Sequence, residues 1–250
     1  MFRMNNHRFC GNRIRGIKAV RQKACSSSRA AQVYDRDMEA PAAADLTAFI
    51  LAGGKSTRMG RDKAFVNFNG STLLARALDL VRQLTGNVHI VGSREKFVKF
   101  APVVEDIFRD CGPLGGIHAA LRASQTDFNL MLAVDMPFVS LSFLNYLAGQ
   151  ARNAPSATAV VPRTDGHWQP LCAIYRRDFV DSAEAALIEG RNKIGPLLEK
   201  TAARGIEQQE MEMAGFSAAI FSNLNTPEEL ESESQRAGHP TDSGRQHVRN

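Results

Sequence analysis

The amino-acid sequence predicts an α/β fold, a three-layer sandwich with a mainly parallel sheet and helices on both faces. Short apolar segments of strand length alternate with longer segments whose apolar residues recur at helical spacing. The most apolar short segment, residues 128–134, predicts a strand in the middle of the sheet. The first short segment ends at Gly53-Gly54, so a glycine-rich loop begins where a parallel sheet binds its ligands.

The strands are predicted from short apolar segments bounded by turn-forming residues. They cover residues 47–51, 88–91, 103–104, 128–134, 157–161 and 171–175. Ligands of such sheets bind beyond the carboxyl ends of the strands. The loops after Leu51, Val104 and Val134 are therefore the predicted ligand-binding positions.

The predicted helices alternate with these strands. Ser71 precedes leucines at helical spacing and is the predicted N-cap of the first helix. The last helix begins at Thr226-Pro227-Glu228-Glu229, a capping box with proline at the first helical position. Helices are predicted at residues 73–84, 117–123, 141–152, 179–189 and 194–203, and from residue 226 onward.

Length and composition predict one domain, over residues 45–231. The chain has 250 residues, 44% of them hydrophobic, and a formal net charge of +5. The charge is uneven, because the first 37 residues hold nine Lys or Arg and two acidic residues. The rest of the chain holds 22 basic and 24 acidic side chains, so the domain lacks the clustered positive charge that nucleic-acid binding requires.

Both ends of the chain are predicted to lie outside the domain. Residues 1–44 form a basic extension that we expect to be disordered, and the first 34 of them include no Asp or Glu. This composition is typical of an organelle transit peptide, and it also fits a start upstream of a working initiator at Met38. Residues 232–250 are rich in Ser, Gly, Arg and Gln and predict a disordered tail. No apolar run approaches the roughly 18–20 residues that span a bilayer, so we expect a cytoplasmic protein without a membrane partner.

The cysteines predict neither a metal centre nor a nucleophile. They are scattered, with no paired spacing, which disfavours a zinc site and a disulfide framework. No histidine lies near Cys111 in sequence to activate its thiol. The four positions are Cys10, Cys25, Cys111 and Cys172.

The loop after the first strand, residues 51–63, reads LAGGKSTRMGRDK and has the composition of a polyphosphate site. Its glycines let backbone N–H groups approach an anion, and its basic side chains supply positive charge. These residues are Gly53, Gly54, Gly60, Lys55, Arg58 and Lys63. The spacing excludes a P-loop, because five residues separate Gly54 from Gly60 and Arg61 follows. An ordinary turn with solvated charges is the alternative for any two of these residues.

Two aspartates follow other strands. Asp135 ends the most apolar strand, and a carboxylate in that position can hold Mg²⁺ together with waters and substrate phosphates. Asp106 follows a short strand and precedes the segment CGPLGGI. Gly115 and Gly116 in that segment could present backbone donors to a ligand, or allow tight packing of a helix start on the sheet. Taken alone, Asp135 could simply begin a turn.

Five segments in order resemble the molybdenum cofactor guanylyltransferases, a family of the nucleotidyltransferase superfamily with a Rossmann-like fold. They are the loop at residues 51–63, Asp106 with GPLGG, VDMPF at 134–138, QPLCAIY at 169–175 and NLNTPEEL at 223–230. The resemblance implies Mg²⁺-dependent transfer of GMP from GTP to molybdenum-bound molybdopterin, with release of pyrophosphate. It also implies proteins that deliver or receive the cofactor.

The resemblance also implies roles for individual residues. Leu51, Ala52, Gly53 and Gly54 would contact the nucleotide, Arg58 and Lys63 its phosphates, Asp106 the nucleotide, Asp135 both nucleotide and Mg²⁺, and Asn223 and Asn225 the pterin. Arg58, Lys63 and Asp135 are the implied catalytic residues. The two asparagines could equally be turn residues before the last helix.

The chain departs from the family's pattern at one position, and this departure bears on recognition of the nucleotide base. Many relatives carry an Asn after the second strand, where this chain has Gly92-Ser93. Two other functions stay open at this point. They are a cytidylyltransferase acting on the same pterin, whose first loop usually reads LAAG, and a nucleotide-binding regulator without catalysis.

Overall fold

A computed structural model describes residues 45–53 and 62–222 of the chain. The strands are β1 (Leu46–Leu51), β2 (Asn67–Phe68), β3 (Ser71–Thr72), β4 (Val88–Val91), β5 (Val103–Val104), β6 (Phe128–Ala133), β7 (Ala159–Thr164), β8 (His167–Trp168), β9 (Cys172–Arg176) and β10 (Ala203–Ile206). The helices are α1 (Leu73–Arg82), α2 (Arg94–Phe97), α3 (Gly112–Ala123), α4 (Leu141–Arg152), α5 (Phe179–Ile188), α6 (Ile194–Leu198) and α7 (Gln208–Met213). Two 3-10 turns cover Lys63–Phe65 and Ala218–Phe221.

The main sheet has the strand order β10-β7-β9-β6-β1-β4-β5, with β8 paired to β7. Strands β6, β1, β4 and β5 are parallel neighbours, and β10 is parallel to β7. Strand β9 lies antiparallel between β6 and β7, so these two run in the same direction. The predicted α/β class and mainly parallel sheet are confirmed, and β6 lies in the middle of the order as predicted.

The sheet separates two apolar clusters, which makes three layers. Successive residues of β1 alternate between them, since Ala48 and Ile50 belong to one cluster and Phe49 to the other. Helices α1 and α4 cover the first face, and α3, α5 and α6 cover the second. Every residue of β6 is buried, which explains why this segment is apolar throughout rather than alternating.

The prediction for the start of the first helix is wrong by one residue. Thr72 is the N-cap of α1, and its hydroxyl accepts a hydrogen bond from the Ala75 amide at 3.2 Å. Ser71 pairs with Phe68 in the short β2–β3 hairpin. Asn69 and Gly70 form its turn with positive φ angles of 51° and 82°, as a two-residue hairpin requires.

Two other helix predictions change. The helix expected at residues 194–203 ends at Leu198, and Ala203 begins β10, which pairs with β7. Only Ile206 of this edge strand is buried, so its sequence lacks strand alternation. Helix α3 begins at Gly112 rather than near residue 117, because Pro113 suits the first helical turn. The helix predicted from residue 226 lies outside the described residues. Within the described ranges, no helix is both long and apolar enough to span a membrane.

Candidate active site at the carboxyl edge of the sheet

The strand register brings the predicted ligand loops to one edge of the sheet. Leu51 is level with Val91 on one side and with Ala133 on the other, and Val91 is level with Val104. Since these four strands are parallel, the residues two positions further on project beyond the same edge. Those residues are Gly53, Ser93, Asp106 and Asp135. Segments separated by up to 82 positions in sequence thus border one site.

Lys63 and Asp135 meet at this edge. The Lys63 ammonium donates a hydrogen bond to Asp135 Oδ2 at 3.1 Å. The two side chains keep only 23% and 20% of their exposure, so the ion pair is partly desolvated. Two residues predicted to act on one nucleotide, 72 positions apart in sequence, are therefore in direct contact.

The local fold explains why Lys63 reaches Asp135. Lys63 opens a 3-10 turn whose N-cap is Asp62, and Asp62 Oδ1 accepts from the Ala64 amide at 3.2 Å. The Ala64 side chain is fully buried and anchors the turn. Asp135 follows the last buried residues of β6, in a turn where the Met136 amide donates to the Ala133 carbonyl. Both charged groups are held by short, well-packed backbone segments.

The first part of the glycine-rich loop is fixed by hydrogen bonds to the sheet. The Ala52 amide donates to the Val91 carbonyl at 3.0 Å, and the Leu51 carbonyl accepts from Val134. A Cβ atom on Gly53 would lie 3.8 Å from its nearest neighbours, an ordinary contact distance. Packing against the described residues therefore does not require glycine at position 53, and a closely approaching ligand remains a reason for it.

Gly92, the departure from the family pattern, has a packing explanation. A Cβ atom there would lie 2.9 Å from the Phe97 ring, closer than side chains can approach. Phe97 is 1% exposed and belongs to α2, which directly follows this loop. The glycine thus accommodates an aromatic ring of the core beneath the site.

Asp106 lies at the far end of the same edge. It is exposed, yet partial desolvation raises the pKa of its carboxyl above the usual value. Three strand spacings separate β5 from β6, so the strands that lead to Asp106 and Asp135 are about 14 Å apart across the sheet. A Cβ atom on Gly116 would lie 3.5 Å from Asp106 Oδ1, which shows that α3 packs directly against this carboxylate.

The glycines of the CGPLGGI segment lie within α3 rather than before it. A Cβ atom on Gly115 would lie 2.7 Å from the Phe108 carbonyl oxygen. Tight packing is therefore the structural role of Gly115. Cys111 precedes α3, and its thiol donates to the Arg109 carbonyl at 3.4 Å. Cys172 is fully buried, and burial raises the pKa of its thiol to about 12, so that thiol stays protonated.

Several predicted site residues lie outside the described part of the chain. They are Gly54, Arg58, Asn223 and Asn225. Their roles stay predictions. Among the described residues, no group of three or more His, Cys, Asp or Glu side chains could hold a metal ion.

Two further side chains at this edge, Lys96 and Thr164, lie outside the five sequence segments and contact residues within them. Lys96 of α2 donates to Asp62 Oδ2 at 2.7 Å, next to Lys63. On the other half of the sheet, Gln169 Nε2 donates to the Thr164 hydroxyl at 2.7 Å. Gln169 belongs to the QPLCAIY segment, but its partner is not in any of the five segments. Strand β9 runs antiparallel to β6, and Cys172 is level with Leu132. Gln169, three positions before Cys172, therefore lies beyond the same sheet edge as Asp135.

The fold and this edge define a nucleotide-binding α/β protein of the nucleotidyltransferase class. The chain belongs to the family described as MobA-like NTP transferase domain, whose model matches residues 48–206. This finding confirms the superfamily that the motifs predicted.

Individual relatives agree with this assignment. A protein from Syntrophotalea carbinolica named molybdenum cofactor guanylyltransferase is 34% identical over 74% of this chain and 89% of its own length. A relative from Clostridium perfringens, named probable molybdenum cofactor guanylyltransferase, is 33% identical over 74% of this chain and 94% of its own. The crystal structure of molybdopterin-guanine dinucleotide biosynthesis protein A from Archaeoglobus fulgidus superposes with a TM-score of 0.65 at 27% identity, covering 76% of this chain and 98% of that one.

Proposed function

We propose that this chain transfers GMP from GTP to the terminal phosphate of molybdenum-bound molybdopterin, forming the guanine dinucleotide cofactor and pyrophosphate. The contact between Lys63 and Asp135 carries the proposal, because it joins the cation proposed to bind phosphate to the carboxylate proposed to hold the metal, at the sheet edge where β1 also ends. The names of the similar proteins support guanine as the base and the pterin as the acceptor.

The GTP would lie across the carboxyl ends of β1 and β4. Asp106 and Asp135 stand at the two ends of this stretch, and the backbone of Leu51, Ala52 and Gly53 lies between them. The exposed Asp106 carboxylate is proposed to accept hydrogen bonds from hydroxyl or amine groups of the ribose or base. The triphosphate then points toward Lys63, with Gly54 and Arg58 as further predicted contacts.

Asp135 is the residue that would hold Mg²⁺. It offers one partly exposed carboxylate at the end of a strand, beside the proposed phosphate position. Mg²⁺ is commonly held by one or two carboxylates together with substrate phosphates and waters, so this donor set fits. When bound with GTP, the ion would neutralise charge on the α-phosphate and on the leaving group.

The protein itself would align the reactants and stabilise charge. A phosphate oxygen of the acceptor attacks the α-phosphorus of GTP, the bond from that phosphorus to the bridging oxygen breaks, and pyrophosphate leaves. Lys63 would stabilise negative charge that develops on the transferred and leaving phosphates. The acceptor supplies the nucleophile, so this reaction needs no Ser, Cys or His side chain.

The pterin would approach from the other half of the sheet, where β7 and β9 present Thr164 and Gln169 at the same edge. Asn223 and Asn225 remain the proposed pterin contacts. Proteins that deliver molybdopterin or receive the product are part of the same proposal.

A pyrophosphate-release assay tests the function. We expect release from GTP only when molybdenum-bound molybdopterin is present, and much less release from CTP. A preference for CTP would identify a cytidylyltransferase. Nucleotide binding without turnover would identify a regulator.

A substitution at the metal-binding position tests the site. The Asp135→Ala variant is expected to lose pyrophosphate release at ordinary Mg²⁺ concentrations while its circular dichroism spectrum stays unchanged. The Asp181→Ala variant, which removes an exposed carboxylate in α5, is the matched control and should keep full activity. Retained activity in the Asp135 variant would contradict the assignment.

A further inference from the structure

The turn that carries Lys63 rests on one short segment, residues 93–100, which we call the α2 platform. Asp62 Oδ2 accepts a hydrogen bond from Lys96 of the platform at 2.7 Å. The Phe65 ring stacks on the Phe97 ring with 5.8 Å between centroids, and it contacts the Phe100 ring at 5.9 Å. A polar and an aromatic contact thus hold the two ends of the turn Lys63–Phe65 to the same support.

The α2 platform is held in place by packing and by a hydrogen bond. Phe97 is 1% exposed and packs so closely on Gly92 that no side chain fits there. The Arg94 amide, at the start of α2, donates to Glu105 Oε1 at 3.1 Å. The support for the turn is therefore fixed to the ends of β4 and β5, which also border the proposed nucleotide site.

Asp62 connects the platform to Lys63. One of its carboxylate oxygens accepts from the Ala64 amide and caps the turn, while the other accepts from Lys96. With Lys96 in place, the carboxylate has one orientation, and that orientation fixes the backbone from which the Lys63 side chain extends. Loss of Lys96 would leave the cap free to rotate toward solvent.

The exposure of Lys96 indicates that its ion pair with Asp62 does not mainly stabilise the fold. The Lys96 side chain is 54% exposed and that of Asp62 is 22% exposed, and an ion pair with an exposed partner contributes little to folding stability. Small displacements of a group that binds a reacting phosphate, by contrast, reduce turnover strongly. This partly exposed pair, next to the proposed phosphate ligand, therefore matters more for geometry than for stability.

We propose that Lys96 is a positioning residue for nucleotidyl transfer, which acts through Asp62 to hold Lys63 at the phosphates. This inference rests on the proposed function, because it assumes that Lys63 binds the nucleotide. It assigns Lys96 no contact with the substrate.

The experiment compares steady-state pyrophosphate release by the full chain and its variants. Lys96→Met removes the charge and keeps the length of the side chain, whereas Lys96→Arg keeps the charge. Lys99→Met is the matched control, since Lys99 is an exposed lysine of the same platform with no hydrogen bond or ion pair to any described residue. Thermal unfolding of each variant measures stability separately.

We expect Lys96→Met to lower kcat/KM for GTP by about fivefold, because a small displacement of a group that binds the reacting phosphate reduces turnover. Lys96→Arg should restore most of this loss, and Lys99→Met should match the unchanged protein. The melting temperatures should all agree. Unchanged kcat/KM in Lys96→Met, or a loss that follows a lowered melting temperature, would overturn the proposal.

A double-mutant cycle separates positioning from direct contact. In an Asp62→Asn background, the Lys96→Met substitution should have little further effect, because the two residues act through one contact. An undiminished effect in that background would show that Lys96 acts on the substrate directly and would refute the inference.

A Lys63→Met variant distinguishes the two levels of the proposal. Full activity of that variant would refute the phosphate role of Lys63 and thereby the proposed site. Loss of activity in Lys63→Met, together with unchanged activity in Lys96→Met, would refute only the positioning role of Lys96.

Discussion

Replacing Lys63 with methionine is expected to strengthen divalent-cation binding at Asp135 and to weaken catalysis at the same time. The Lys63 ammonium lies 3.1 Å from Asp135 Oδ2, so a cation that binds this oxygen competes with the ammonium for it. Methionine has similar length and no charge, so it removes the competition with little change in packing.

The size of the effect follows from the geometry of the pair. Unit charges 3.1 Å apart attract by about 5 kcal/mol at an effective dielectric constant of about 20. Desolvation of both groups and ordering of the lysine side chain offset most of this attraction, which leaves about 1 kcal/mol. The affinity of the nucleotide-free protein for a divalent cation should consequently rise about fivefold. Pyrophosphate release should fall about a hundredfold, as for the loss of one group that stabilises transition-state charge.

Titration calorimetry with Mn²⁺ alone measures the first quantity, and pyrophosphate release measures the second. The Lys63→Arg variant keeps the charge and should not gain cation affinity. The Asp135→Asn variant should lose affinity for the cation. Cation affinity that stays the same or falls in Lys63→Met would refute the idea that the ammonium and the cation compete for Asp135.

Asp106→Asn should stabilise the protein near neutral pH and not near pH 3. Desolvation raises the folded-state pKa of Asp106, so ionisation of this carboxyl costs stability as the pH rises above the usual carboxyl pKa. Melting temperatures of the variant and the unchanged protein, measured at both pH values, test this. Gly115→Ala should destabilise by about 1–3 kcal/mol in urea unfolding, because its Cβ would lie 2.7 Å from the Phe108 carbonyl oxygen. Gly53→Ala should leave the free energy of unfolding nearly unchanged, since its Cβ would meet no atom of a described residue nearer than 3.8 Å, yet it should weaken GTP binding in calorimetry. Equal destabilisation by the two glycine substitutions would contradict this distinction.

The parts of the fold that were predictable are those whose burial leaves a pattern. Strand β6 is buried on both faces, and its unbroken apolar sequence predicts both the strand and its central place. Edge strand β10 buries only Ile206, and α2 is four residues long, so neither leaves a periodic pattern. The two short hairpins carry a local signal in their turns, Asn69-Gly70 and Asp165-Gly166, whose positive φ angles are typical of tight hairpins.

In the site, too, some features were predictable from the sequence and others were not. The position of Asp106 and Asp135 at one sheet edge was predictable, because each follows a strand and the parallel register brings strand ends together. The partners of these residues were not predictable, since the contact between Lys63 and Asp135 depends on how a turn packs after the loop. Lys96 lacked any signal, because an exposed lysine on a single helical turn is common on protein surfaces.

The two ion pairs beside the loop, Lys63–Asp135 and Lys96–Asp62, differ in what the proposed reaction requires of them. In the proposed complex, Lys63 must exchange Asp135 for phosphate oxygens, and Asp135 must exchange Lys63 for a metal ion. Asp62 and Lys96 face no such exchange, because Asp62 already caps the turn through its other oxygen. An exchangeable pair therefore stands beside a permanent one on the same turn. Binding of the nucleotide and metal can then reorganise two side chains while the backbone that carries Lys63 stays in place.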